Sequence, residues 1–189
     1  MCGHRGIWGK PGQAVDIPVV GLGESTMYLA CQLGRKFALA MPTGMPGGVA
    51  LAEEAVRRQG LWDRLSTNGL RWMRHSLEEL SVKGYQNPQF VADDVAQTAR
   101  ECAADGADVV IVFCGGIGPF CSMVGLNKVT VAGQDVPVLD PHMIAAKIAE
   151  MSAAIKKGIG LPIPSRANDQ YLPSRKDMAR VRSLFGLRT

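Results

Sequence analysis

Ala107-Asp108-Val109-Val110-Ile111-Val112-Phe113-Cys114-Gly115-Gly116 is the stretch that decides the fold. The run Val109–Cys114 is too short for a helix and rich in β-branched residues, so it reads as a strand buried on both faces. The glycine pair that stops it marks a turn at the strand's carboxyl end. That is where open α/β sheets present their reactive groups, and here the residue presented is a cysteine.

Outward from this strand the pattern alternates. Upstream, Gln89–Ala104 places Val91, Val95, Ala99 and Cys102 on one face of a helix. Downstream, Lys128–Val131 and Val136–Leu139 flank Gly133-Gln134-Asp135 and read either as a hairpin or as two separate edges. Further strands are read at Ile17–Val20, Phe37–Met41 and Leu65–Met73, with a loop over Pro42–Gly48. Helices are expected over Glu24–Leu33, with Ser25 or Thr26 as its cap and Gly34 at its end, and over Val49–Gln59, just before Gly60. Met143–Ile155 is a further helix, and Lys176–Leu187 closes the chain as a short one, after a stretch extended by Pro162, Pro164 and Pro173. Strands and helices in alternation imply an α/β fold, a parallel sheet with flanking helices.

Composition agrees. The 189 residues are 47% hydrophobic but only 6% aromatic, which suits tightly packed α/β layers. The net charge of +4 is unevenly placed: from Lys156 onward eight cations face two anions, a surplus of +6 that leaves the rest at −2. With no aromatic-interleaved basic face, this reads as a solvated or subunit-docking tail and not as a nucleic-acid surface. Five cysteines, an odd number without a CxxC pair, fit reduced thiols in the cytoplasm. The uncharged run from Val109 to Asn127 is interrupted by Gly115, Gly116, Gly118, Pro119 and Gly125, so no membrane span is expected.

Cys114 is the foremost candidate for chemistry. The amides of Gly115 and Gly116 are placed to hold a developing oxyanion or a carboxylate beside its thiol. Cys2, beside His4 and sixteen residues before Pro18, is the second candidate, and opposed thiols would work on one carbon without metal or cofactor. Glu24 and Ser25 follow a glycine-containing turn, Gly21-Leu22-Gly23, at a helix start suited to a small anion. This turn lacks GxGxxG and the phosphate-loop lysine. Thr43, after a strand, is a hydroxyl donor. Asp140 caps a helix that begins at Pro141, and His142 faces the cleft. Cys121 lies seven residues past Cys114 with too few neighbouring ligands for zinc, so no metal site is expected. Cys31 and Cys102 read as core.

These pieces together resemble the aspartate/glutamate/hydantoin racemase superfamily, nearest its hydantoin and allantoin racemase branch. Pro18-Val19-Val20-Gly21-Leu22-Gly23-Glu24-Ser25 with Leu33-Gly34-Arg35-Lys36-Phe37 is similar to that branch's PVVGxxEA…LGxRF segment. Gly106-Ala107-Asp108 through Cys114-Gly115-Gly116 is similar to the GADVIxxxCxG segment around its second catalytic cysteine, and Val136-Pro137-Val138-Leu139-Asp140 to the strand that follows. The resemblance covers roughly residues 2–155. It implies two pseudo-symmetric α/β lobes with a site between them. Residues 37–141 form the second lobe; 1–36 and 142–189 are a remnant of the first plus a C-terminal helix and tail. It also implies cofactor-independent racemisation of an amino-acid derivative, with Cys2 and Cys114 catalytic, a small-molecule substrate and a homo-oligomer. Two departures stand out. The family's CFxDPG stretch is here Cys2-Gly3-His4-Arg5-Gly6-Ile7, and its opening βαβα segment with an Asn-Pro-Asn-Thr loop has no counterpart, so the sequence reads as N-terminally truncated. Related chemistries on the same scaffold are malonate-type decarboxylation and maleate-type isomerisation. A non-catalytic homologue that binds small anions or a partner subunit is the alternative outside enzymology.

Overall fold

The computed structural model describes residues 16–165 and 174–186, which divide into two compact units. Among them the first unit runs from Val20 to Ile148, and the second holds residues 16–19 and those from Ala149 onward.

The first unit is an α/β layer structure around a five-stranded sheet of order β2-β1-β3-β5-β4. Its strands are β1 (Phe37–Thr43), β2 (Leu65–Ser76), β3 (Val109–Val112), β4 (Lys128–Val131) and β5 (Gln134–Leu139). All neighbours are parallel except β4 and β5, which form an antiparallel hairpin. The signature strand β3 is therefore central, as the sequence implies.

The uninterrupted apolar runs follow from two-sided burial. Phe37, Leu39 and Met41 point to one face with Val109, Ile111 and Phe113, while Ala38 and Ala40 point to the other with Val110 and Val112. The first face is covered by Met27 and Ala30 of α1 (Leu22–Leu33) and Ala52 and Val56 of α2 (Gly48–Arg58). The second is covered by Leu80 of α3 (Leu77–Gln86), the Val91-Val95-Ala99-Cys102 stripe of α4 (Pro88–Ala104) and Phe120 of α5 (Gly118–Met123). Each large side chain so buried stabilises by about 1.5–3 kcal/mol.

Several expectations change. Ile17–Val20 is not a strand: it joins no ladder, and Ile17 and Val19 are 62% and 46% exposed. An apolar run becomes a strand only where a neighbour accepts its ladder bonds, and Pro18 lacks the amide to offer one. Pro42 and Thr43 extend β1, so the loop shrinks to Gly44–Gly47. The hairpin reading of 128–139 holds, but the turn is Ala132-Gly133 (φ 50° and 78°), with Gln134 and Asp135 inside β5. Positive φ at both central residues is the geometry that matches the twist of paired strands. Helix α3 and the short helix α5 have no counterpart among the elements expected from the sequence.

In α1 the cap is Gly21, not Ser25 or Thr26. Both hydroxyls lie inside the first turns and donate backward, Ser25 Oγ to the Gly21 carbonyl at 2.6 Å and Thr26 Oγ1 to that of Leu22 at 2.7 Å. Gly34 ends the helix as expected. The final helices are α6 (Pro141–Ile159) and α7 (Arg175–Leu184). In the second unit Lys156 of α6 donates to the Asp16 carbonyl at 2.7 Å. No helix of the described residues is long and apolar enough to cross a membrane.

Candidate active site

Three adjacent parallel strands, β1, β3 and β5, end at one edge of the sheet. Beyond β3 the Phe113 amide still donates to Ala40, at 2.8 Å, so the chain keeps its strand direction to the brink of the turn. Cys114 follows, 7% exposed. Its carbonyl then accepts the amides of both Ile117 and Gly118, at 3.1 and 3.2 Å, which closes the turn and starts α5. The thiol sulfur lies 3.9 Å from the point a Cβ on Gly116 would occupy, so it sits beneath its own glycine turn. Gly115 is half-buried and Gly116 exposed.

The other described candidates lie at the end of the neighbouring strand β1 or at the starts of α1 and α6. Thr43 ends β1, half-buried, beside a Gly44 with φ 73°. A Cβ on Gly23 would touch the Phe113 ring at 4.0 Å, which puts the start of α1, with half-buried Glu24 and buried Ser25, next to the residue preceding Cys114. His142, with 46% of its side chain exposed, is the second residue of α6, and its amide donates to Asp140 Oδ1 at 2.9 Å, the capping role expected of Asp140. Cys114, Gly115, Gly116, Thr43, Glu24, Ser25 and His142 thus belong to one unit; Cys2 lies outside the described residues.

Burial raises the other three described thiols, two of them strongly. Burial pushes Cys121 up to about 12, and the Asp140 carboxylate adds to it. Burial likewise takes Cys102 up to about 11, against the opposing pull of Arg71. Half-buried Cys31 is raised by desolvation, with Arg64 acting the other way.

One arrangement escaped the sequence reading. His75 stands at the carboxyl end of β2, its Nδ1 2.9 Å from Asp94 Oδ2, and the Asp94 side chain is 1% exposed. Asp94 also accepts the amides of Arg74 and His75, both at 3.1 Å. Its signal was available: Asp94 falls on the buried stripe of α4, three residues after Val91, and a carboxylate there needs partners. At the opposite, amino end of the strands, Gly34, Arg35, Asp108, Gln134 and Pro137 line an open concavity of about 770 Å³. None of the described candidate residues lines it.

A sheet of this order with a cysteine turn at its carboxyl edge has relatives among known proteins. The family model for Asp/Glu/Hydantoin racemase matches residues 12–149, and the chain belongs to that family. It is 24% identical over 186 residues to the hydantoin racemase of Pseudomonas sp. (strain NS671), across 95% of this chain and 67% of that protein. Among solved structures it resembles the allantoin racemase of Pseudomonas fluorescens, with TM-score 0.59, 22% identity, and coverage of 86% of this chain and 61% of that one. The allantoin racemase of Klebsiella pneumoniae gives TM-score 0.58 and 17% identity, with 86% and 59% covered. The chain therefore spans about three fifths of the length of the solved racemases it matches.

Proposed function

We propose that this chain is a cofactor-independent racemase for amino-acid derivatives of the hydantoin, allantoin or Asp/Glu type, working by proton transfer between two thiols. The observation that carries the reading is Cys114, a buried thiol in a glycine turn at the carboxyl end of the central strand, inside the matched family segment. The sheet of β1–β5 lies within residues 37–141, the proposed second lobe, and α1 from outside that range covers part of one of its faces.

Such a substrate bears a hydrogen on the carbon next to a carbonyl. One thiolate takes that proton and becomes a thiol, leaving an enolate. The thiol on the other face gives its proton to the carbon and becomes the thiolate, so inversion leaves the pair ready for the reverse direction. Cys114 serves one face and Cys2 the other. The amides of Gly115 and Gly116 stabilise the enolate oxygen, an effect worth about 3 kcal/mol for a well-placed donor. Thr43, Glu24, Ser25 and His142 hold the substrate's polar groups.

The test is proton NMR in heavy water on single enantiomers of 5-substituted hydantoins, allantoin and aspartate, with optical rotation followed in parallel. Loss of the Cα–H signal with loss of rotation is expected, and Cys114→Ser should abolish the loss of rotation, leaving at most one-sided exchange of the Cα–H. Full racemisation by that variant refutes the mechanism; a changed carbon skeleton or double-bond geometry points instead to a decarboxylase or isomerase.

A further inference from the structure

We propose that Asp140 is a positioning residue for Cys114, acting through Gly118; this rests on the reading of Cys114 as the reactive thiol. Asp140 is 7% exposed and held at both oxygens. Oδ1 accepts the His142 amide at 2.9 Å, and Oδ2 accepts the Ser122 hydroxyl at 2.7 Å. The carboxylate is thereby fixed between the end of β5 and α5, with no rotamer freedom left.

The Cys114 turn rests directly on this fixed group. A Cβ on Gly118 would lie 2.4 Å from Asp140 Oδ1, 3.0 Å from its Cγ and 3.0 Å from Pro141 Cδ. Gly118 is also one of the two residues whose amides close onto the Cys114 carbonyl. Whatever displaces Gly118 therefore displaces the residue that carries the thiol. On its other side α5 is pinned as tightly: a Cβ on Gly84 of α3 would come within 2.7 Å of the Phe120 ring. Two close approaches, each open only to glycine, wedge the six residues of α5 in place, and the turn can shift only if one of them yields. The carboxylate is the wall that sets where the thiol stands.

The experiment is the rate of alkylation of Cys114 by iodoacetamide in the substrate-free protein, read by peptide mass mapping with half-buried Cys31 as the internal reference. Gly118→Ala should change the Cys114 rate at least tenfold relative to Cys31. In an Asp140→Ala background, where the wall is gone, adding Gly118→Ala should change it less than threefold. Asp140→Asn keeps the size and the acceptor oxygen and should stay within twofold of the parent, while Asp140→Ala departs tenfold. Parent-like rates in Gly118→Ala, or an equal effect of that change in both backgrounds, overturn the proposal. Should Gly118→Ala fail to fold by circular dichroism, the comparison of Asp140→Asn with Asp140→Ala decides: a tenfold gap supports the role and equal rates refute it. No arm uses substrate, so an absence of proton exchange would sink the racemase reading and leave this result standing.

Discussion

Cys102 and Cys121 give the fold a pH dependence that can be worked out in advance. Burial raises their thiols from an ordinary 9.0 to about 11 and about 12. In the unfolded chain both ionise near pH 9, whereas in the folded chain both keep their protons. Between those limits the unfolded state binds fewer protons, so stability falls as pH rises. The stabilising difference is intact below pH 9 and is lost as pH climbs toward 11 and 12. Integrated for both groups from pH 9 to 10.5, the loss is about 3 kcal/mol. Lysines and tyrosines titrate in the same window, so the quantity to measure is a difference. Urea unfolding of the parent and of the Cys102→Ala/Cys121→Ala variant, both reduced, gives it at each pH. The variant starts less stable because it loses packing in the α4 and α5 layer. Its deficit should then shrink by about 3 kcal/mol across that range. Curves that stay parallel would refute the claim that these thiols are held protonated by burial.

Two further outcomes follow from single contacts. Asp94→Ala strips the acceptor from two backbone amides and from the His75 ring; it should cost about 2–4 kcal/mol, read as a fall of roughly 6–12 °C in the melting midpoint, and a fall under 2 °C would show that solvent already satisfies those groups. Ala132→Asn places a residue tolerant of positive φ at the first hairpin position, where φ is 50°; a gain of about 0.5–1 kcal/mol in urea unfolding is expected, and a loss would mean the turn is not under strain.

The parts of the fold legible in the sequence are those whose pattern depends on one neighbour type only. β1 and β3 are legible as strands, though not their carboxyl ends, because a strand covered on both faces must be apolar at every position, and α4 because its buried stripe recurs at helical spacing. Gly60, at φ 69°, marks a helix end for a reason internal to the backbone, whereas Gly34 is extended and its missing side chain makes room for Asp108, whose Cβ would lie 2.5 Å from a Cβ there. Ile17–Val20 misleads because its apolar pattern is a statement about a partner, and none of the described strands pairs with it. Helix α3 was masked by an interior Gly84, whose absent side chain makes room for Phe120. Its start was nevertheless written in Ser76-Leu77-Glu78-Glu79, where Ser76 Oγ accepts the Glu79 amide at 3.1 Å.

The candidate site divides the same way. Cys114 could be read because a strand, a thiol and two glycines are contiguous, and chain order alone delivers them to the sheet's edge. His75 and Asp94 are nineteen residues apart, and only the packing of α4 against β2 makes them neighbours. Asp140 shows the limit most clearly: its capping of α6 is local and legible, while its hold on Ser122 and Gly118 exists only because β5 lies beside β3 in the sheet. That adjacency bears on which opening of the molecule matters. The strands' amino ends carry an open concavity of about 770 Å³, but its walls bring no thiol and no histidine. The carboxyl edge brings a buried cysteine, a glycine turn, a helix start and a wedged carboxylate together in one unit. Proton transfer at carbon depends on positioned groups and not on volume, which is why the proposed racemisation is assigned to that edge.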